Sequence, residues 1–407
     1  DPTDPYLTEW VVEDTVAIVQ EPGMGEQNQF RDPFIWKDDG VYYMMIGSGY
    51  DGTSGGALMY TSEDMRDWEY HGYAFQSTAG EAGIHWECIQ LLPISTRDGS
   101  MQKYVFFLTP QYAEESRTVE CYYWIGTFDK ASKRFVPDAG YEAPRLLDYG
   151  NGIFTGQTGF SYLTEEDATA GKTYEQGRTI LFAIAQGKEP GTTHNYYSGW
   201  AHNASLPMEL YLSDDGTSIA MEPIEELHTL RTQTVYASET AMTAEEANAA
   251  IGQLRGDSFE IRMKLSLSET AETYSAGLYV RFNPYTNSLN QTERTGIVFG
   301  SNGVYIDRSQ TSLYVMGLGN SHVWDNTAGE FDVVVYMDRS MLEVYVNGTV
   351  SFTSRMYPKY EDSDYLRFFE EGCTLTVSDL TIYTLGSAYS DTVTPAYYGN
   401  TGSIQNA

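Results

Sequence analysis

Phe30-Arg31-Asp32-Pro33, followed by the turn signal Asp39-Gly40 and the apolar run Val41 to Ile46, reads as a strand, a tight turn and a second strand. The same order returns at His85-Trp86-Glu87-Cys88 with Lys103 to Leu108, and again at Phe154-Thr155-Gly156-Gln157 with Thr179 to Ala185. Glu87 stands 55 residues after Asp32, and Gln157 stands 70 after Glu87. Such spacing suits a four-stranded propeller blade of about 40–50 residues plus its loops. Two acidic segments closed by tryptophan, Glu9-Trp10 and Asp67-Trp68, lead into the first two of these starts. The first strand of a blade lines the central channel, so Asp32 and Glu87 are expected to face one funnel from adjacent blades.

Outward from these repeats the chain stays β-rich, and the expected fold class is all-β. The blade pattern ends after Ser205-Leu206-Pro207-Met208-Glu209-Leu210, and the propeller region is placed at residues 1–221. A linker follows at 222–250, with one helical patch at Thr243 to Leu254 in which Thr243 and Glu246 form a capping box. Phe259 to Leu267 and Phe331 to Val346 alternate apolar and polar residues with period two, as sandwich strands do. A β-sandwich is therefore expected at 251–386, with a start as early as 232, and a peripheral tail at 387–407.

The 407 residues carry 24 Lys+Arg against 57 Asp+Glu, a net charge of −33. This argues against nucleic acid or an anionic membrane as partner, because phosphates must be met by clustered cations. No apolar stretch approaches the roughly 20 residues of a membrane helix. Cys88, Cys121 and Cys373 form an odd, widely spaced set, which argues against a disulfide framework or a zinc site. An acidic, Tyr- and Gly-rich, Cys-poor composition points to a secreted bacterial protein. The chain shows no signal peptide and does not begin with Met, so a processed or cut N-terminus is expected.

Two carboxylates at the mouth of a closed β structure, surrounded by aromatics, are what cleavage of a glycosidic bond requires. Glu87 is the acid candidate, because Trp86, Ile89, Leu91 and Leu92 would desolvate it and raise its pKa. Asp32, beside Arg31, would be held ionised and able to bind sugar hydroxyls. Trp36, Trp86 and Trp200 are candidates for stacking on sugar faces, with ordinary core packing as the plain alternative for each. Gly47-Ser48-Gly49 lacks the Lys-Ser/Thr of a phosphate loop, and no Gly-x-Ser-x-Gly elbow occurs. His85, His194 and His202 do not stand at a metal-ligand spacing, so no metal and no cofactor are expected.

Taken together, Phe30-Arg31-Asp32-Pro33 and Trp86-Glu87-Cys88 resemble glycoside hydrolase family 32, the invertase, inulinase and levanase family. Asp148-Tyr149-Gly150, Phe154 to Thr158, Gly199-Trp200 and Ser205 to Leu210 continue the resemblance in order. In the second region, Met337-Asp338-Arg339-Ser340, Glu343-Val344 and Val346-Asn347-Gly348 are similar to the family's sandwich signature. The resemblance implies a five-bladed propeller followed by a sandwich, and a retaining reaction on β-fructosides such as inulin, levan, sucrose or fructooligosaccharides. It implies that Glu87 is the general acid/base and Asp32 the transition-state stabiliser. Arg31, Trp86, Trp36, Gln157 and Trp200 would bind substrate.

The family's nucleophile lies in a Trp-Met-Asn-Asp-Pro-Asn-Gly type motif, which is not found here, and neither Asp1 nor Asp4 has its context. The expectation is therefore a C-terminal portion with a partial propeller of about three blades. Its nucleophile would come from an N-terminal fragment held as a companion chain, and the chain alone would be inactive. The reading set against this is a non-catalytic carbohydrate-binding protein derived from the family. The related family 43 is disfavoured by Trp86-Glu87-Cys88 and by the second sandwich.

Overall fold

A computed structural model describes residues 4, 8–114, 120–187, 201–286, 291–311, 322 and 329–389. The chain divides into two compact units. One comprises residues up to 147 with 155–183 and 210–219, and the other 148–154, 184–209 and the chain from 220 onward.

In the first unit β1 (Phe30–Asp38), β2 (Val41–Tyr50), β3 (Ser54–Ser62) and β4 (Glu69–Ser77) form an antiparallel meander. A second meander is β5 (His85–Ser95), β6 (Gln102–Gln111), β7 (Tyr122–Asp129) and β8 (Arg134–Pro137), with β9 (Arg145–Leu146) against β7. Asp39 and Gly40 both take positive φ, +46° and +81°, which is the backbone of a two-residue hairpin turn between β1 and β2. The two meanders were expected as separate blades, but they share one nine-stranded sheet through the pair Gly49↔His85. The reason is steric: a Cβ at Gly47 would lie 2.2 Å from the Trp86 carbonyl oxygen, so a bare backbone lets β5 close on β2. Behind this contact Trp86, Phe106, Trp124 and Phe135 are buried and pack with Phe75 as an aromatic core.

A five-stranded sheet follows, ordered Phe154–Tyr162, Arg178–Gln186, Met208–Leu212, Ile219–Pro223, with His202–Ala204 beside Arg178–Gln186. In the second unit a seven-stranded sheet runs Arg231–Ser238, Thr374–Leu385, Ser258–Ser268, Glu330–Asp338, Met341–Val346, Val350–Arg355, with Met242–Thr243 also paired to Thr374–Leu385. A four-stranded sheet is ordered Gly303–Asp307, Thr295–Gly300, Ser275–Phe282, Tyr365–Glu371. Period-two alternation buries Phe259, Ile261, Met263 and Leu265 from one sheet with Ala276, Leu278 and Val280 from the other in one core. The helix Ala244–Ile251 starts at Thr243, whose side chain and that of Glu246 bond each other's backbone N–H. Its Ala247 and Ile251 close the end of that core.

Asp148 shows how tightly this unit is tied. Its Oδ1 accepts the Gly150 and Thr353 amides at 2.9 and 3.0 Å, and its Oδ2 accepts the Ser351 and Thr353 hydroxyls, both at 2.8 Å. Replacing Asp148 with Ala strands four buried donors and is expected to cost about 3 kcal/mol or more. A urea unfolding midpoint that stays where it was would contradict this.

Candidate active site

Two β-bulges build the site. On β1 the pairing steps from Arg31↔Gly47 to Phe34↔Met45, so one residue is extra, and Asp32 takes φ +53°. On β5 it steps from Glu87↔Thr109 to Gln90↔Phe107, and Cys88 takes φ +49°. Positive φ at a residue with a Cβ costs of order 1–3 kcal/mol and persists only where the surroundings impose it. Here each bulge re-aims a side chain toward the other strand. The Cys88 amide donates to Asp32 Oδ2 at 2.9 Å, and the Cys88 sulfur lies 3.7 Å from the same oxygen. Burial, with the Asp32 and Glu87 charges, pushes the Cys88 thiol up to about 12. It stays a neutral thiol rather than a nucleophile.

Glu87 is held by one oxygen. Its Oε1 accepts from Arg31 Nη1 at 2.5 Å and from Gln111 Nε2 at 2.7 Å. Arg31 is itself oriented by Gln29, whose Oε1 accepts from Arg31 Nη2. Among the described residues, Glu87 Oε2 and Asp32 Oδ1 have no hydrogen-bond partner. About a quarter of the Glu87 side chain is open to solvent. The arrangement offers two neighbouring carboxylates, each anchored at one oxygen and available at the other.

The remaining expected site residues do not all reach this face. Gln157 is 1% exposed: its Oε1 accepts from the Thr109 hydroxyl and its Nε2 donates to the Cys88 carbonyl, both at 2.7 Å. It braces the bulge. Trp86 is wholly buried and Trp36 is 4% exposed, stacked on Tyr43 at 5.1 Å, so neither presents a face to a sugar and both stacking roles are corrected to core packing. The desolvating role given to Trp86 falls with this, because its ring points away from Glu87. Trp200 lies outside the described residues. Gln111 and Glu26 had not been singled out, and His85 had been weighed only as a metal ligand. Among the described residues no group of three or more His, Cys, Asp or Glu could hold a metal ion. A cavity of about 730 Å³ lies in the second unit, lined by His202, Tyr336, Arg339 and Glu343 among others; it contains neither Asp32 nor Glu87.

The model of the N-terminal domain of glycosyl hydrolases family 32 matches residues 4–223, and that of the family's C-terminal domain matches 226–384. A rice β-fructofuranosidase, insoluble isoenzyme 1 (Oryza sativa subsp. indica), is 28% identical over 307 residues, which is 73% of this chain and 50% of the relative. A sucrose-6-phosphate hydrolase of Zymomonas mobilis is 25% identical over 372 residues, 86% of this chain and 64% of the relative. The chain thus spans between half and two thirds of the length of these curated relatives. Fructan 1-exohydrolase IIa of Cichorium intybus superposes with a TM-score of 0.73 at 19% identity, over 95% of this chain and 78% of that one. A Bombyx mori β-fructofuranosidase does so with 0.61 at 24%, over 88% and 66%. These two likenesses speak for the fold alone.

The matches overturn several expectations. With models of both domains matching along this one chain, it is not a C-terminal portion lacking the N-terminal domain. The superpositions over 88–95% of the chain carry the propeller-and-sandwich fold, in place of the partial three-bladed propeller. The companion chain, the nucleophile placed on it and the inactivity of the chain alone all rested on a missing N-terminal domain, and they fall with it. That domain also holds a further buried carboxylate, Asp38, which is ion-paired to Lys130 at the far end of β1. Six residue steps along the strand, about 20 Å, separate it from Asp32, so it anchors the strand end rather than joining the pair.

Proposed function

We propose that this chain, which belongs to glycosyl hydrolase family 32, is a glycosidase that transfers the fructosyl group of β-fructosides to water or to another sugar. The observation that carries the reading is the pair of matched bulges, which seat the Asp32 carboxylate on the Cys88 amide next to Glu87 and, among the described residues, leave each carboxylate one oxygen without a hydrogen-bond partner. Glu87 Oε2 would give a proton to the leaving oxygen as the glycosidic bond breaks, and would take one back from the incoming water or hydroxyl. Asp32 Oδ1 would face the fructosyl unit, whose positive charge at a tertiary centre a fixed anion stabilises by several kcal/mol. Arg31 and Gln111 would keep Glu87 Oε1 turned away, so that only Oε2 meets substrate. The organisation proposed with it is a propeller region to about 221 and a sandwich from near 232 to 386. The boundary between the two family matches supports the first division, and the pairing of Arg231–Ser238 with Thr374–Leu385 draws the segment once expected as a linker to 250 into the sandwich.

Fructans, sucrose and short fructooligosaccharides are the proposed substrates. Relatives come from plants, an insect, fungi and bacteria, which supports a secreted location without favouring a bacterial source. The test is fructose release by the purified chain from sucrose, inulin and levan. Release from at least one is the expected result; sugar binding with no release would turn the reading into that of a binding protein.

A further inference from the structure

Beside Glu87, on the side away from Asp32, stands a second polar pair. His85 precedes Glu87 by two residues on β5, so the two side chains share a face with their Cα atoms about 6.6 Å apart. His85 Nε2 lies 3.1 Å from Glu26 Oε1, and Glu26 Oε2 accepts the Gly52 amide at 2.9 Å. The Glu26 amide in turn donates to the Ser48 hydroxyl at 3.1 Å. Partial burial works against the Glu26 charge, yet the Gly52 amide and the His85 ring hold its carboxyl below the usual range. The pair lies over Gly49, where an added Cβ would come within 2.4 Å of the His85 ring and 2.9 Å of Glu26 Oε2. Both side chains are partly open, 14% and 27%, and among the described residues His85 Nδ1 has no partner.

Order along the strand gives the pair a direction. Asp32 meets β5 at Cys88, Glu87 follows, and His85 with Glu26 comes last. If the acid stands at the bond being broken and Asp32 on the fructosyl side, what lies beyond the acid faces the leaving group. We propose that Glu26 and His85 form the leaving-group subsite, taking a polyhydroxyl sugar unit through a carboxylate acceptor and an imidazole nitrogen that bond neighbouring hydroxyls. The inference rests on the β-fructosidase reading and deepens it: the pair would set which fructosides are preferred without taking part in the proton transfer.

The test compares two ligands that share the fructosyl group. Sucrose has a hydroxylated leaving group, and methyl β-D-fructofuranoside has a methyl group there. Binding of each is measured by calorimetry in a Glu87→Gln background, which slows turnover, and again with Glu26→Ala, His85→Ala or the milder Glu26→Gln added. Loss of one or two hydrogen bonds should raise the sucrose Kd about tenfold or more while the methyl glycoside Kd moves less than twofold, with Glu26→Gln falling between. Parallel loss for both ligands would make the pair a structural brace and overturn the inference, as would no change for either. Failure of the underlying reading is seen separately: a parent protein that binds neither ligand and a wild-type chain that releases no fructose would sink both.

Discussion

Glu87→Gln lowers kcat for fructose release by about 10²–10⁴-fold, the range that a positioned proton donor supplies, equivalent to roughly 3–5 kcal/mol of barrier. The substitution is close to isosteric, and the site decides how the amide sits. Arg31 Nη1 and Gln111 Nε2 both donate to Oε1, so the amide oxygen must occupy that position and the NH₂ must replace Oε2. Two N–H groups facing an N–H would otherwise be left unpaired. Binding should therefore survive while the proton is lost. An aryl fructoside, whose phenolate leaves without protonation, should lose far less rate than sucrose, which separates a missing proton from a distorted pocket. Steady-state kinetics on both substrates decides the matter, and turnover within threefold of wild type on sucrose would remove Glu87 from the mechanism.

Much of this site was legible in the sequence because its two carriers stand in short, ordered motifs. Arg31-Asp32-Pro33 and Trp86-Glu87-Cys88 gave the two carboxylates, and their spacing suggested that two strands bring them together. The bulges were not legible. Positive φ at Asp32 and Cys88 leaves no trace in composition, since glycine is the residue that normally announces it. That omission explains the tryptophans. Trp36 is four residues from Asp32, and simple alternation puts both on one face, but the extra residue between Arg31 and Phe34 flips the register and sends Trp36 inward with Tyr43. For Trp86 the signal was present: neighbours on a strand point to opposite faces, so a site-facing Glu87 requires a core-facing Trp86. Gln111 is a partner by register alone, and Glu26 by the path of the segment that precedes β1. Gln111 pairs with His85 across β5 and β6, and nothing in its local sequence marks it. Glu343 was noticed only as part of a signature, although its burial has physical consequences of its own.

Glu343→Gln should leave the protein about as stable as wild type near pH 5 and more stable at pH 8. Glu343 is 3% exposed; its Oε1 accepts the Leu206 amide at 2.8 Å, and its Oε2 lies 3.0 Å from the Tyr345 hydroxyl. Burial, helped by the nearby Asp148 charge and opposed by the Leu206 amide, Tyr345 and Arg355, pushes its carboxyl from 4.5 up to about 8. Between those values the folded protein keeps a proton that the unfolded chain has released. Stability from this group is thus complete below pH 4.5, falls by about 1.4 kcal/mol per pH unit through the window, and levels off above 8. Glutamine cannot titrate, yet it can still accept the Leu206 amide and donate to the Tyr345 oxygen, so its contribution is flat. The gap between the two proteins should open by about 3–4 kcal/mol from pH 5 to pH 8. Titrating groups remote from Glu343 are common to both and cancel in the difference. Urea unfolding of the pair at the two pH values measures this directly, and parallel stability curves would mean that Glu343 is already ionised in the folded protein, with its charge met by Arg355.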